Sequence, residues 1–273
     1  MRYNTIYEGD CILGLKKLPD NSVDCIVTSP PYNKKGFKKG KESNSGEWCD
    51  VIKYDSYDDN LSEEDYQKWQ IELLNECFRV LKPTGSLFYN HKVRRFESRA
   101  DHPLVWLSKS KMHFYQQIIW DRGGAPDQNI NYCTPSTELI LWFVKDKPKT
   151  FKTKNNYFTE VWKFNPAKSD HPAPFPKILV RNCLKLTTEE GDVVLDPFMG
   201  SGTTGIVSKE LNRRFIGFEI SPKYNEMAIK KLSQILLSGF FGTQANSTSS
   251  SFNKDLTGNS DEFPQILPLA ELR

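Results

Sequence analysis

The chain has 273 residues and a formal net charge of only +3, with 37 Lys and Arg against 34 Asp and Glu. That length suits one α/β domain with a well-buried core, and the near balance of charge removes a globally basic surface as an argument for nucleic acid. Six scattered cysteines without a C-x-x-C pair, and four histidines without ligand spacing, argue against a zinc site and against a disulfide framework. No apolar run is long enough to cross a membrane, and Met1-Arg2-Tyr3-Asn4-Thr5 is polar, so a cytoplasmic protein without a membrane partner is expected.

Taken in order, the chain alternates strand-like and helix-like patterns, which predicts an α/β fold around a largely parallel sheet. A strand starts near Thr5 and leads to Gly9-Asp10-Cys11. Val23-Asp24-Cys25-Ile26-Val27 is a short apolar run that enters Thr28-Ser29-Pro30-Pro31-Tyr32-Asn33. The two prolines fix two φ angles and push Ser29 and Pro30 out of the α region, giving a stiff turn. That turn offers the Ser29 hydroxyl and backbone carbonyls as acceptors, with the flat Tyr32 ring beside them. An exocyclic amino group of cytosine or adenine donates two hydrogens, and its lone pair is delocalised into the ring. Two acceptors placed tetrahedrally pull that nitrogen toward sp³ and localise the lone pair, a stabilisation aimed at charge that develops in the transition state. Tyr32 is placed to stack on a base removed from the duplex. The plainer alternative is a proline-stiffened loop around a partly buried tyrosine.

Lys34, Lys35, Lys38, Lys39 and Lys41 follow at once, with no acid before Glu42, and read as a basic loop meeting phosphates beside the site. A solvated lysine-rich loop is the ordinary alternative. Residues 58–80 have helical periodicity, with an acidic opening at Glu63-Glu64-Asp65, a stripe of Trp69, Leu73 and Leu74, and Pro83 as a stop. Residues 85–89 read as a strand, followed by the basic cluster Lys92, Arg94 and Arg95. Residues 98–111 read as a helix, 116–120 and 138–144 as strands, and 175–186 as a helix.

Val193-Val194-Leu195 then leads into Asp196-Pro197-Phe198-Met199-Gly200-Ser201-Gly202-Thr203-Thr204-Gly205. Gly200, Gly202 and Gly205 spell G-x-G-x-x-G, and Glu219 ends the next strand pattern, Phe215-Ile216-Gly217-Phe218-Glu219. This matches a dinucleotide-binding fingerprint with its ribose-binding acid, so a nicotinamide dehydrogenase is a competitor from this half alone. The difference is Asp196. A carboxylate there repels a pyrophosphate but suits the ammonium and sulfonium charges of S-adenosylmethionine. Paired at strand carboxyl ends, the two junctions point to group transfer onto a nucleobase. No Pro-Cys pair occurs, which favours direct transfer to an amino nitrogen over covalent attack on a cytosine ring.

On these residues the sequence resembles the S-adenosylmethionine-dependent DNA amino-methyltransferases of the permuted class, in which the catalytic motif precedes the cofactor motif. The likeness runs from about residue 5 to about residue 235 in the family's order. It implies a Rossmann-like methyltransferase fold, a mostly parallel twisted sheet with helices on both faces, and circularly permuted motif order. Ser29, Pro30, Pro31 and Tyr32 match the family's Asp/Asn/Ser-Pro-Pro-Tyr/Phe motif, which binds the target amino group. Asp196, Phe198, Gly200, Gly202 and Thr203 match its cofactor loop, and Glu219 its ribose-binding acid. Residues 171–176, including Phe175, resemble the segment walling the methionine end of the cofactor, and Asp10 lies in a segment resembling the one near its adenine. Ser at the first motif position is associated in the family with cytosine N4, and Asp or Asn with adenine N6. Methylation of cytosine N4 in double-stranded DNA is therefore expected, with adenine N6 as the alternative. An RNA or small-molecule methyltransferase and an idle DNA-binding module are the remaining competitors. The resemblance also implies a restriction–modification setting, in which a cognate restriction endonuclease is a functional counterpart.

Residues 1–237 are expected to form the catalytic domain, with DNA-recognition insertions near 34–57 and 121–165. Arg122, Gln128, Asn129 and Asn131 have side chains that read base edges. The tail, 238–273, opens with a linker-like run, and its apolar end is expected to dock on the domain or on a second subunit as a homodimer.

Overall fold

The computed structural model describes residues 2–33, 61–96, 99–123, 133–150, 158–166 and 176–242. In chain order they form β1 (Thr5–Glu8), α1 (Cys11–Leu15), β2 (Val23–Thr28), α2 (Glu63–Val80), β3 (Leu81–His91), β4 (Arg94–Phe96), β5 (Arg99–Asp101), α3 (Pro103–Leu107), β6 (His113–Asp121), β7 (Thr137–Val144), β8 (Val161–Lys163), α4 (Lys177–Thr187), β9 (Val193–Asp196), α5 (Thr203–Glu210), β10 (Arg214–Glu219) and α6 (Pro222–Gly242). The chain divides into two compact units, residues 1–232 and 233–273, and of the second only Ser233–Gly242 is described.

Eight strands make one sheet in the order β1-β10-β9-β2-β3-β7-β6-β8. The five from β1 to β3 are mutually parallel. Strand β7 runs against both neighbours, β3 and β6, and β8 is parallel to β6. A parallel sheet covered on both sides needs strands that are apolar on both faces. Leu87 and Tyr89 of β3 join one core with Ile26, Leu195, Leu141 and Phe143, under α1, α2 and α3. Phe88 joins the other core with Val27, Val194, Ile140 and Trp142, under α4, α5 and α6. The period-two alternation thus places helices on both faces.

Strand β2 continues through α2 to β3 on one side, and β9 continues through α5 to β10 on the other. Neighbouring strands whose connections leave in opposite directions open a crevice at their carboxyl ends. Thr28 and Asp196, the last residues of β2 and β9, therefore both lie at this switch point.

Several elements differ from the sequence expectation. Helix α2 begins at Glu63, where Ser62 accepts the Asp65 backbone N–H at 3.1 Å and Glu63, Glu64 and Asp65 complement the helix dipole. It ends at Val80, before Pro83. Pro83 sits inside β3, where the register jumps from Val23↔Leu81 to Cys25↔Ser86. The bulge holds the proline out of the ladder, so its missing N–H costs no bond. The helix expected over 98–111 is instead the β4/β5 hairpin followed by a short α3. Residues 99–102 have no apolar stripe, Arg94 pairs with Asp101 across the hairpin, and Pro103 starts α3 with His102 as cap. Helix α4 begins at Lys177, with Pro176 at its N-cap.

Among the described residues no helix is long and apolar enough to cross a membrane, and no cluster of His, Cys, Asp or Glu is arranged to hold a metal ion.

Candidate active site

The proline elbow leaves β2 at the carboxyl edge of the sheet and is held from below. The Tyr66 hydroxyl of α2 donates to the Pro31 carbonyl at 2.8 Å and lies 2.9 Å from Nε2 of His91. His91 is wholly buried, and desolvation lowers its pKa to about 3 despite the favourable Lys92 carbonyl, so the ring is neutral near pH 7. Its Nδ1 lies 2.7 Å from that carbonyl, an atom that can only accept, which assigns the ring proton to Nδ1. Nε2 is then an acceptor, and the single Tyr66 proton is shared between Nε2 and the elbow. The Tyr32 ring rests on His91 at a centroid distance of 4.5 Å, and the Lys92 ammonium lies 5.7 Å from its centroid.

The polar end of Tyr32 meets residues from two further strands. Its hydroxyl lies 3.1 Å from Ser29 Oγ, 3.2 Å from Glu138 Oε2 and 3.4 Å from Asn90 Oδ1. Asn90 Nδ2 donates to Glu138 Oε2 at 3.1 Å, and Arg122 pairs with Glu138 Oε1 at 2.9 Å. Because β7 is antiparallel, Glu138 near its beginning arrives at the edge where β2, β3 and β6 end. Arg122, expected to read base edges, pairs through Nη1 with Glu138 beside the elbow while its side chain stays 30% exposed. Glu138, Asn90, His91 and Tyr66 were not singled out from sequence. The available signal was polar residues bounding apolar strands, as in Asn90-His91-Lys92 after β3's apolar run and Glu138 before Leu139-Ile140-Leu141.

Asp196, expected to face a cationic cofactor, is 1% exposed, and both of its oxygens accept hydrogen bonds within the chain. Oδ1 accepts from the Thr28 hydroxyl at 2.9 Å and from the Phe198 N–H at 3.0 Å, and Oδ2 accepts from the Thr204 hydroxyl at 2.6 Å. It ties the residue before Ser29 to the start of α5, across 168 positions of sequence. Burial raises its pKa to about 7, opposed by these three hydrogen bonds.

The glycine turn follows. Gly200 and Gly202 have φ of 51° and 83°. A Cβ on Gly202 would lie 2.9 Å from the Ala228 Cβ, so both backbone sign and packing require glycine there. Gly202 caps α5 and Thr203 begins it. Glu219 accepts the Gly200 N–H at 2.7 Å on Oε2 and the Ser221 N–H at 2.9 Å on Oε1. Burial raises its pKa, and the backbone donors oppose the rise. Each oxygen keeps lone-pair capacity, which suits a vicinal diol. On the neighbouring strand Glu8 is paired with Glu219, and Asp10 just beyond it caps α1 by accepting the Leu13 N–H at 2.8 Å. Phe198 is partly buried, edge-on to Trp69 at 5.7 Å. Phe175, Lys34, Lys35, Lys38, Lys39, Gln128, Asn129 and Asn131 lie outside the described residues.

The arrangement brings an acceptor-lined rigid elbow and a glycine turn with the acid Glu219 to adjacent strand ends. Comparison with known proteins agrees with that chemistry. The family model described as DNA methylase, N6_N4_Mtase, matches residues 23–230. The Type II methyltransferase M.BglII of Bacillus subtilis is 32% identical over 268 residues, covering 84% of this chain and 69% of that protein. The M1.HpyAVI–SAM complex superposes with a TM-score of 0.57 at 26% identity, covering 84% of this chain and 99% of that one. The cytosine-N4-specific PvuII DNA methyltransferase shares the fold, with a TM-score of 0.66 at 20% identity, covering 87% and 93%. With a family model covering residues 23–230, the chain belongs to the N6/N4 family of DNA methylases.

Proposed function

We propose that the protein methylates the exocyclic N4 of cytosine in double-stranded DNA, on a base turned out of the helix, by direct transfer. The carrying observation is Ser29 at the head of the elbow, its hydroxyl beside Tyr32 and one residue from the Asp196 tie to the glycine turn. The family supports the coarser activity, a DNA amino-methyltransferase of restriction–modification type. The serine argues for cytosine: it is a weaker acceptor than a carboxylate.

The cofactor of this family is S-adenosylmethionine, which supplies a methyl group on a positively charged sulfur. The site fits it. Gly200 and Gly202 leave the turn without side chains, and the two Glu219 oxygens retain acceptor capacity for ribose hydroxyls. Thr203, Phe198, Asp10 and Phe175 complete the proposed pocket, while Asp196 holds its floor. Glu219→Ala is expected to raise the dissociation constant for S-adenosylmethionine by roughly 10- to 100-fold, the loss of charged hydrogen bonds to the ribose, measured by calorimetry. An unchanged constant removes Glu219 from the pocket.

The chain's own groups act on the target. Ser29 and a backbone carbonyl of the elbow accept the amino hydrogens, and the Tyr32 ring holds the base. Positioning and desolvation of that pair supply most of the rate, and the proton leaves after attack. The buried thiols are not activated for a covalent route. Burial pushes the Cys25 pKa up to about 12 and raises those of Cys11, Cys77 and Cys183. Residues 1–237 are the proposed catalytic domain, and Lys34, Lys35, Lys38 and Lys39 the proposed phosphate contacts.

The test is transfer of labelled methyl to plasmid DNA, followed by nuclease digestion and nucleoside chromatography. Labelled N4-methylcytosine is expected. N6-methyladenine alone overturns the choice of base, and label in RNA but not in duplex DNA overturns the substrate.

A further inference from the structure

We infer that Glu138 is a positioning residue that acts through Tyr32 to make the Ser29 hydroxyl a pure acceptor toward the target amino group. The inference rests on the proposed reading of the elbow and deepens it.

A serine hydroxyl differs from a carboxylate in carrying a proton of its own. If that proton points into the site it opposes the incoming N–H. If it points away, both lone pairs face the target. The direction is decided by the partners of Tyr32. Its hydroxyl has one proton, and among the described residues it lies near Ser29 Oγ at 3.1 Å, Glu138 Oε2 at 3.2 Å and Asn90 Oδ1 at 3.4 Å. Asn90 is oriented independently. Its Nδ2 donates to Glu138 Oε2 and to the Leu139 carbonyl at 3.0 Å, and a flipped amide would set oxygen against oxygen at both. Of the three, Glu138 alone bears charge, and a charged acceptor makes the stronger bond. Tyr32 therefore donates to Glu138, which leaves its oxygen to accept from Ser29.

The result is a directed chain, Ser29 to Tyr32 to Glu138, closed by Arg122 on Oε1 at 2.9 Å. Glu138 is 9% exposed, so water screens the chain little. Successive bonds of one sense polarise each other, and the Ser29 oxygen gains electron density without carrying a charge. A carboxylate absent from the head of the motif is supplied two side chains away.

The experiment compares single-turnover methyl transfer to duplex DNA for wild type, Glu138→Gln, Glu138→Asp, Tyr32→Phe and the double variant. Glutamine keeps the shape. Arg122 holds its oxygen, so its amide nitrogen takes the place of Oε2, faces the donating Asn90 Nδ2 as well as Tyr32, and turns the tyrosine proton away from position 138, reversing the chain. Glu138→Gln is expected to lower the transfer rate about 10-fold or more, with DNA and S-adenosylmethionine affinities within about 3-fold. Glu138→Asp should recover part of the loss. Tyr32→Phe should fall comparably, and adding Glu138→Gln to it should cost less than about 2-fold more, because the intermediary is gone. An unchanged rate in Glu138→Gln, a rate for Glu138→Asp below that of Glu138→Gln, or multiplicative losses in the double variant overturns the inference. Should the glutamine variant melt below the assay temperature, an unchanged rate in Tyr32→Phe overturns it on its own. If the wild type transfers no methyl to an amino group of DNA, the proposed activity fails instead.

Discussion

Tyr32→Ala is expected to lower single-turnover methyl transfer by about 10²–10³-fold, the scale seen when one preorganised group facing the reacting centre is removed. Affinity for S-adenosylmethionine should stay within a few-fold. Two losses combine. Ser29, Glu138 and Asn90 lose the hydroxyl that lies between them, and the ring that rests on His91 leaves a gap where a base would stack. Glu219 is held by the Gly200 and Ser221 N–H groups and Asp196 by Phe198 and Thr204, away from the Tyr32 ring, so the proposed cofactor pocket should be spared. Rapid-quench transfer and calorimetry on the same preparation separate the two effects. A parallel collapse of cofactor affinity would mean that the elbow and the glycine turn cannot be perturbed apart.

The second large effect concerns stability. Asp196 has a carboxyl moved from 3.8 to about 7 by burial. A folded-state pKa above the unfolded value means a contribution fully present below about pH 4 and lost as pH rises through about 7. The size is about 4 kcal/mol for a group this deeply buried. His91, held down to about 3, acts in the opposite sense: its contribution is present above about 6.5 and lost as pH falls toward 3. The wild-type curve therefore mixes two slopes, and the difference from Asp196→Asn isolates one. Relative to wild type, the variant should gain stability between about pH 4 and pH 7 and level off above it, measured as midpoints of denaturant unfolding. Its transfer rate should drop about 10-fold, because asparagine offers one acceptor where Thr28, Phe198 and Thr204 need two. Parallel stability curves across that range would show that the carboxyl does not ionise inside the fold.

Much of this was legible locally. The two junctions carry their own chemistry, and the strands before them are short apolar runs with turn residues attached. What could not be read was direction and depth. The run Leu139-Ile140-Leu141-Trp142-Phe143-Val144 is apolar whichever way it points, so nothing in it announces an antiparallel strand or brings Glu138 to the site. The depth of Asp196 could not be read because its three partners, Thr28, Phe198 and Thr204, come from two separate stretches of chain and become neighbours only in the folded sheet. Residues 98–111 misled for a third reason. A hairpin of polar residues has no period to detect, and an ion pair between Arg94 and Asp101 is a tertiary fact. His91 gave no signal beyond its place after an apolar strand, yet it supports both Tyr32 and Tyr66.

The pairing of β9 with β2 has one more consequence. The two strands touch side by side, and no connection runs directly from one to the other; each leaves toward its own half of the sheet. Cutting the polypeptide at a distant turn and rejoining its old ends would reorder the gene while leaving the meeting place of Thr28 and Asp196 untouched. Which half is translated first is therefore a matter of genetic history, and the reaction centre is indifferent to it.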